Sequence, residues 1–191
     1  LEDTVVFVSG DITQRKFAEA ALRKSESDLN TAQKIAHVGS WERVYADPHS
    51  SLETDVFVWS DEFYRIFGFE PQQFSPSLER LYDAIHPEDR EMVQDTLTQA
   101  LGKQLPFEIR HRVVLPNGEK RFIFARSETT FDALTGRAIR TFGTVQDITD
   151  YVLAAEARYR SEQRFRELVE NANDIIYTHD LDGNFTSLNK A

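Results

Sequence analysis

The chain repeats itself at a fixed spacing, and this repeat constrains the fold more than any other feature of the sequence. The tripeptide Asp11-Ile12-Thr13 recurs 136 positions later as Asp147-Ile148-Thr149. Each copy is followed by a segment without Gly or Pro that is rich in Ala, Glu and Arg, a composition that favours a helix. The sequence therefore predicts that a strand ending in Asp-Ile-Thr leads into a polar helix twice.

The repeat divides the chain into five segments. We expect residues 1–13 to be the last strand of a preceding unit and residues 14–36 to be a connecting helix. Residues 37–149 are expected to be a complete domain, residues 150–173 a second connecting helix, and residues 174–191 the first hairpin of a following unit. This organisation predicts a piece of a larger protein that is built from related domains.

Both connecting helices carry a seam of residues spaced alternately four and three apart, as in a coiled coil. In the first helix the seam consists of Ala18, Leu22, Ser25, Leu29, Ala32 and Ala36. In the second it consists of Ala154, Arg158, Ser161, Phe165, Leu168 and Ala172. One interpretation is a single helix that packs on its own domain. The other, which we favour, is a two-stranded coiled coil that makes the protein a homodimer.

The central segment mixes strand and helix patterns. The predicted strands are residues 40–45, 56–59, 107–115, 121–126 and 138–148. The predicted helices are residues 61–67, 78–85 and 87–101, the last of them ended by Gly102. Asn117-Gly118 is a strong signal for a hairpin turn. Because two strands precede the helices and three follow them, the fold class is expected to be α+β with an antiparallel sheet.

Alternation along the strands assigns the two faces of that sheet. Phe107, Ile109, His111 and Val113 share one face, which we expect to lie under the helices. Phe122, Phe124 and Phe142 fall on the opposite face, where they form an apolar patch. Because such a patch rarely stays bare, these three residues join Leu22, Leu29, Phe165 and Leu168 as candidates for a dimer interface.

Several motifs of the central segment, taken in order, resemble a PAS domain with its C-terminal PAC motif. They are His37-Val38-Gly39-Ser40-Trp41-Glu42, Trp59-Ser60-Asp61-Glu62-Phe63-Tyr64-Arg65-Ile66-Phe67-Gly68, His86-Pro87-Glu88-Asp89-Arg90, Arg112 through Asn117-Gly118 to Arg121, and Gly143 through Thr149. The resemblance implies a five-stranded antiparallel sheet with helices on one face, a cavity between them, and flanking signalling helices. It also implies that Asp147, Ile148 and Thr149 relay a signal into the second connecting helix.

The cavity that the resemblance implies would hold a small-molecule ligand. The candidate lining residues are Trp41, Trp59, Phe63, Phe67, Ile85, Val93, Leu97, Phe107, Ile109, His111, Val113, Ile123 and Val145. His111 is a candidate hydrogen-bonding group for the ligand, the alternative being a core histidine with its own partners. Trp41, Trp59 and Phe107 leave a non-covalent flavin open, the alternative being plain core. Haem is disfavoured because the helix after His86 has no histidine, and cysteine-linked flavin is excluded because the chain has no cysteine.

Composition excludes several other classes of protein. The chain has 22 basic and 32 acidic residues and a net charge of −10, which argues against nucleic-acid binding. It has no cysteine and no apolar run approaching the ~20 residues of a membrane span. None of the five histidines is spaced to form a metal pair on a helix. We therefore expect an acidic cytoplasmic protein without a metal or catalytic site in this segment.

The sequence thus favours a sensory, dimerising and signal-relay module of a multidomain bacterial protein. The resemblance points to a sensor histidine kinase as the parent, or to a diguanylate cyclase or phosphodiesterase, with neighbouring PAS and output domains in the same chain. Two alternatives stay open. One is a redox or gas sensor that holds flavin or haem, and the other is a passive spacer that only sets the geometry of a dimer.

Overall fold

A computed structural model of the protein describes residues 13–46 and 54–190. Residues 1–12 of the predicted end strand 1–13 and part of the turn after the first strand of the domain therefore lie outside the described residues, and Thr13 begins a helix instead of ending a strand. The elements are α1 Thr13–Ala36, β1 Val38–Val44, β2 Val56–Trp59, α2 Asp61–Ile66, α3 Leu78–Ala84, a 3₁₀ turn Pro87–Asp89, α4 Arg90–Lys103, β3 Phe107–Val114, β4 Lys120–Phe131, β5 Ala138–Asp147, α5 Thr149–Glu170, β6 Tyr177–His179 and β7 Phe185–Leu188.

The predicted α+β class with an antiparallel sheet is confirmed. Strands β1 to β5 form one five-stranded sheet in the order β2-β1-β5-β4-β3, and all its neighbouring strands are antiparallel. The hairpin at Asn117-Gly118 joins β3 to β4, and Gly118 has the left-handed φ of 84° that this turn requires. The chain divides into two compact units, one through Asp147 and one from Ile148.

Several element boundaries differ from the sequence-based expectation: α5 spans Thr149–Glu170 instead of 150–173, and the 3₁₀ turn Pro87–Asp89 precedes α4 instead of being its first turn. Strand β4 continues five residues beyond the predicted end at Arg126, because Ser127 to Phe131 keep pairing with β5. Helix α4 runs through Gly102 to Lys103, so the glycine does not end it. Gln104 ends it instead, with a left-handed φ of 55°, and its backbone N–H donates to the carbonyls of Ala100 and Leu101.

Helix α2 packs directly on β1 at a glycine. A Cβ built on Gly39 would lie 2.5 Å from Phe63 Cα and 2.6 Å from Phe63 N. Ser60 fixes the start of α2, because its Oγ accepts hydrogen bonds from the backbone N–H groups of Phe63 (3.2 Å) and Ser40 (2.9 Å). The start of α2 is therefore held against β1 by contacts that tolerate no side chain at position 39.

The two ends of the central domain meet at His37. This residue leaves α1 with a left-handed φ of 50°, and its carbonyl accepts a hydrogen bond from the backbone N–H of Asp147, the last residue of β5. Gln33, near the end of α1, donates from its side chain to Ser40 Oγ at 3.0 Å. The incoming helix is thus anchored to the sheet beside the point where the outgoing helix begins.

Most seam residues of the connecting helices are exposed within this single chain, whereas Ala172 is half-buried and lies beyond the end of α5. Leu22 and Leu29 on α1 are 60% and 58% exposed, and Phe165 and Leu168 on α5 are also exposed. The large apolar side chains of both seams therefore have no cover among the described residues of one chain. The coiled coil itself stays a prediction.

The second unit repeats a local arrangement of the first. In the first unit the backbone N–H of Ser60 donates to the Ser40 carbonyl, and Ser60 Oγ accepts from the Ser40 N–H. In the second, the backbone N–H of Asn189 donates to the Ile176 carbonyl, and Asn189 Oδ1 accepts from the Ile176 N–H. Ile176 stands 136 positions after Ser40, whereas Asn189 stands 129 positions after Ser60, so the hydrogen-bond pair recurs with a shorter connection between its two residues.

Candidate functional site

A cavity of about 70 Å³ lies between the inner face of the sheet and the helices. Ten of the predicted residues line it: Trp41, Trp59, Phe63, Phe67, Ile85, Val93, Leu97, Phe107, His111 and Val145. The other three candidates are Ile109, Val113 and Ile123. They face the same way but lie in the solid part of the core, and Val113 and Ile123 are completely buried.

Sequence reasoning missed a second group of lining residues. They are Arg43, Tyr45, Phe57, Leu78, Leu81, Ala100, Leu101, Leu105, Ala125, Ser127, Thr129 and Thr141. The signal that could have found several of them is alternation. Continuing it from Trp41 reaches Arg43 and Tyr45, and continuing it along β4 from Ala125 reaches Ser127 and Thr129.

Stacked aromatic rings form one wall of the cavity. The ring of Phe63 stacks on Trp59 and on Phe67, with centroid distances of 4.6 Å in both pairs. The Trp41 ring lies over Gly143, which is its cross-strand partner on β5. A Cβ built on Gly143 would lie 2.6 Å from the Trp41 ring and 2.8 Å from the carbonyl oxygen of Arg126. The absence of a side chain at Gly143 therefore determines where the Trp41 ring lies in the cavity.

We expect Gly143→Ala to displace the Trp41 ring, because its new Cβ has no room beneath that ring. The free energy of unfolding should fall by about 1.5 kcal/mol, as in other overpacked cores. Tryptophan emission, measured together with urea denaturation, checks both effects. An unchanged emission spectrum in the variant would contradict the position assigned to Trp41.

His111 is the most unusual polar group of the cavity. It is 7% exposed, and its Nδ1 atom is buried without a hydrogen-bond partner among the described residues. Burial lowers the pKa of His111 to about 4, although the negative charge of Asp89 acts in the opposite direction. The imidazole is therefore neutral at pH 7, and it presents an unsatisfied polar atom where such atoms are rare.

A cluster of hydroxyl groups lies elsewhere along the same inner face. Thr141 Oγ1 is 3.0 Å from Tyr45 Oη and 2.8 Å from Thr129 Oγ1. The residue opposite His111 on β4 is Ile123, and Thr129 is six residues further along that strand. At ~3.3 Å per residue the cluster is roughly 20 Å from His111 along the strand, and its hydroxyls satisfy one another.

Arg43 is the charged residue among those that line the cavity. Its Nε donates to Asp55 Oδ2 at 2.7 Å, and its guanidinium lies over the Tyr45 ring, 4.3 Å from the centroid. Partial burial opposes ionisation of Asp55, but hydrogen bonds from Ala46 and Arg43 lower the pKa of its carboxyl overall. The positive charge of Arg43 is therefore already compensated.

Arg112 on β3, next to His111, forms ion pairs with Asp89 and Glu88 in the 3₁₀ turn before α4. We call this group of three residues the latch. Asp89 Oδ2 accepts hydrogen bonds from the backbone N–H of Arg112 (2.7 Å) and from its Nε (3.0 Å). Glu88 accepts a further bond from Arg112 Nη2 at 2.9 Å. The side-chain hydrogen bond from Arg112 is the main cause that lowers the pKa of Asp89, to about 2.

Arg121 connects the helix above the cavity to the end of the sheet. Its Nη1 donates to the carbonyls of Arg65 (3.2 Å) and Ile66 (2.9 Å) in the last turn of α2. Its Nε is 3.5 Å from Asp147 Oδ2. Of the three predicted relay residues, Asp147 is thus the last of β5, while Ile148 and Thr149 begin the second unit.

The outer-face candidates lie on the side of the sheet away from the cavity. Phe142 is 46% exposed, and Phe122 and Phe124 are half-buried. The guanidinium groups of Arg110 and Arg140 lie 5.7 Å from the ring centroids of Phe124 and Phe142 respectively. Two of the three aromatic rings in the predicted apolar patch therefore have an arginine side chain beside them.

The cavity is small for a flavin or a haem. Its volume of about 70 Å³ compares with roughly 300–1,000 Å³ for pockets that bind drug-sized ligands, and both cofactors carry large planar rings.

In the part of the chain that the structure describes, no three His, Cys, Asp or Glu side chains cluster as metal ligands. Over the same residues, no helix combines the length and apolar character that a membrane crossing requires.

Comparisons with known proteins agree on the fold. The family described as PAS fold matches residues 56–145. The probable diguanylate cyclase DgcE of Escherichia coli (strain K12) is 21% identical over 179 residues, covering 94% of this chain and 15% of the relative. A blue-light-activated histidine kinase of Brucella ovis is 29% identical over 137 residues, covering 72% of this chain and 25% of the relative.

A crystal structure of a sensory box histidine kinase/response regulator from Burkholderia thailandensis E264 has the same fold as the central part of this chain. The TM-score is 0.56 at 24% sequence identity, and the match covers 73% of this chain and 98% of that chain. The chain spans only 15–25% of the length of the curated relatives named above.

Proposed function

Since residues 56–145 carry a PAS domain, we propose that this chain is the sensory and signal-relay part of a larger signalling protein. The cavity is the sensing site, and its contents set the position of α2 and of the sheet. The sheet passes that position to α5 through Asp147, Ile148 and Thr149. The observation that carries this proposal is the buried His111 Nδ1, which has no hydrogen-bond partner among the described residues and lies in a mostly apolar cavity.

Arg121 supports a physical connection between sensing and relay. Phe63 and Phe67, on α2 and at its C-cap, line the cavity. The last-turn carbonyls of α2 accept hydrogen bonds from Arg121, which also faces Asp147. A ligand that moves α2 would therefore change the surroundings of Asp147, one residue before the second unit begins. This contiguity motivates the proposed path, and the insertion experiment described below measures the coupling.

The domain organisation belongs to the same proposal. Residues 37–149 would be the complete PAS/PAC domain, and residues 174–191 would start a second one. The recurrence of the Ser40–Ser60 arrangement at Ile176–Asn189 supports this assignment. A two-stranded hairpin is marginal by itself, so β6 and β7 would need further strands for stability.

The connecting helices would pair with those of a second copy. Leu22, Leu29, Phe165 and Leu168 are exposed and lie on the heptad seams. Pairing along these seams would cover the apolar side chains and give a homodimer. The parent protein would be a histidine kinase or a diguanylate cyclase, the two activities named among its relatives.

Insertions after Asp150 test the relay. In the full-length protein, four inserted residues rotate the following seam relative to the sheet, whereas seven inserted residues, two helical turns, restore the heptad register. We expect the four-residue insertion to uncouple the output activity from its stimulus and the seven-residue insertion to retain coupling. Equal coupling in both variants would show that the helix phase carries no signal, and the relay proposal would be abandoned.

A further inference from the structure

We propose that the cavity selects an uncharged small molecule that has an apolar body and one hydrogen-bonding group, and that His111 Nδ1 recognises this group. The inference rests on the proposed role of the cavity as the sensing site, and it adds the chemical class of the ligand. Three features of the cavity carry it: one buried polar atom without a partner in the described part of the chain, the absence of an uncompensated charge among its lining residues, and a small volume.

The first feature is the position of His111. A buried polar atom that lacks a hydrogen bond is destabilising, and native proteins rarely retain one. His111 Nδ1 is such an atom, and its residue lines the cavity. A neutral imidazole nitrogen can donate or accept, depending on which nitrogen holds the proton. A ligand hydroxyl matches either state, because it can both donate and accept.

The second feature is the charge of the lining residues. Arg43 is the charged member of this set, and Asp55 already pairs with it. His111 is neutral at pH 7 for the reason given above. A carboxylate or an ammonium group inside the cavity would therefore be buried without a compensating charge, which is strongly unfavourable. The lining thus discriminates against ions of both signs.

The third feature is the small volume of the cavity, whose hydroxyl groups already have partners. Tyr45, Thr129 and Thr141 already hydrogen-bond to one another, so a ligand gains little by competing for them. A cavity of about 70 Å³ also suits a compact molecule better than one long enough to reach both His111 and this cluster. The ligand therefore needs only one polar group, placed at His111.

Three probes of nearly equal size test whether the cavity discriminates by charge: butan-1-ol is neutral, butanoate is negative and butylammonium is positive. Trp41 and Trp59 are the two tryptophans of the chain, and both line the cavity. Intrinsic fluorescence therefore reports on the cavity directly, and ligand-observed NMR provides a second readout. We expect butan-1-ol to bind at pH 7 with at least about tenfold higher affinity than either ion, which is about 1.4 kcal/mol.

A pair of histidine variants tests the recognising group. His111→Leu should lower the affinity for butan-1-ol by about fivefold, the size of one ordinary hydrogen bond. His179→Leu is the matched control, since His179 is exposed on β6 in the second unit, and it should leave the affinity unchanged. Both variants are compared with the parent chain by thermal unfolding, so that a folding defect is recognised.

Each other result would overturn the inference. Equal or tighter binding of butanoate or butylammonium would show that the cavity accepts charge. An unchanged butan-1-ol affinity in a folded His111→Leu variant would remove the role of His111. If none of the probes binds, the ligand class is wrong. The sensing and relay role is then judged separately by the insertion experiment, which uses the native stimulus.

Discussion

Gly39→Ala should lower the free energy of unfolding by about 3 kcal/mol, the largest effect that we expect from a single methyl group in this chain. The new Cβ would lie 2.5 Å from Phe63 Cα and 2.6 Å from Phe63 N. These are backbone atoms, so no side-chain rotation relieves the clash. Helix α2 would have to move away from β1, and with it the cavity residues Phe63 and Phe67. Urea denaturation followed by circular dichroism measures the loss.

Gly102→Ala provides the matched control for this substitution. Gly102 lies within α4, and a Cβ built there meets no atom within 4 Å. Alanine favours the helix over glycine by roughly 0.5–1 kcal/mol, so this variant should be slightly more stable than the parent chain. If Gly39→Ala were as stable as Gly102→Ala, the close approach of α2 to β1 would be wrong.

Asp89→Asn should lower the free energy of unfolding at pH 7 by about 2 kcal/mol, because it removes a charge-assisted latch. The Asp89 side chain is 12% exposed and accepts hydrogen bonds from the backbone and side chain of Arg112. Glu88 also contacts Arg112 but is 72% exposed, so Glu88→Gln should change stability by less than about 0.5 kcal/mol. Equal effects of the two variants would contradict the burial assigned to Asp89.

The stability that Asp89 contributes should depend on pH in a defined direction. The pKa of its carboxyl is lowered from 3.8 to about 2 in the folded chain. A carboxyl with a lowered pKa stabilises the fold fully above its unfolded pKa, and this contribution is lost as the pH falls through the folded value. The difference between the parent chain and Asp89→Asn should therefore be constant above about pH 5 and shrink between about pH 4 and pH 2. A constant difference over that interval would exclude the latch as its cause.

The order of the elements could be predicted because local signals in this sequence agree with the final fold. Asn117-Gly118 specifies the β3–β4 hairpin, and Ser60 with Gly68 brackets α2. Alternation correctly assigned His111 to the inner face. The end of β4 was missed because Ser127, Thr129 and Thr130 are polar, and they read as a loop unless their pairing with β5 is known.

The shape of the cavity could be predicted only in part. The alternation of side chains along a strand predicts which face of the sheet a residue occupies, but it does not predict whether a helix fills the space above that residue. Ile109 and Ile123 share a face with His111, but they pack within the hydrophobic core and do not line the cavity. Leu78, Leu81 and Leu105 line the cavity because of how the segments around α3 and α4 fold back on the sheet. That packing depends on long-range contacts, which sequence spacing does not describe.

The hydrogen bond between His37 and Asp147 has a consequence for how such proteins evolve. It brings the entry and the exit of the central domain side by side. A domain whose ends are adjacent can be copied into a chain without separating the elements on either side of the insertion point. Duplication in tandem then needs no new structural solution at each junction, only another copy of the same helix. The 136-residue repeat is the record that this kind of gene duplication would leave.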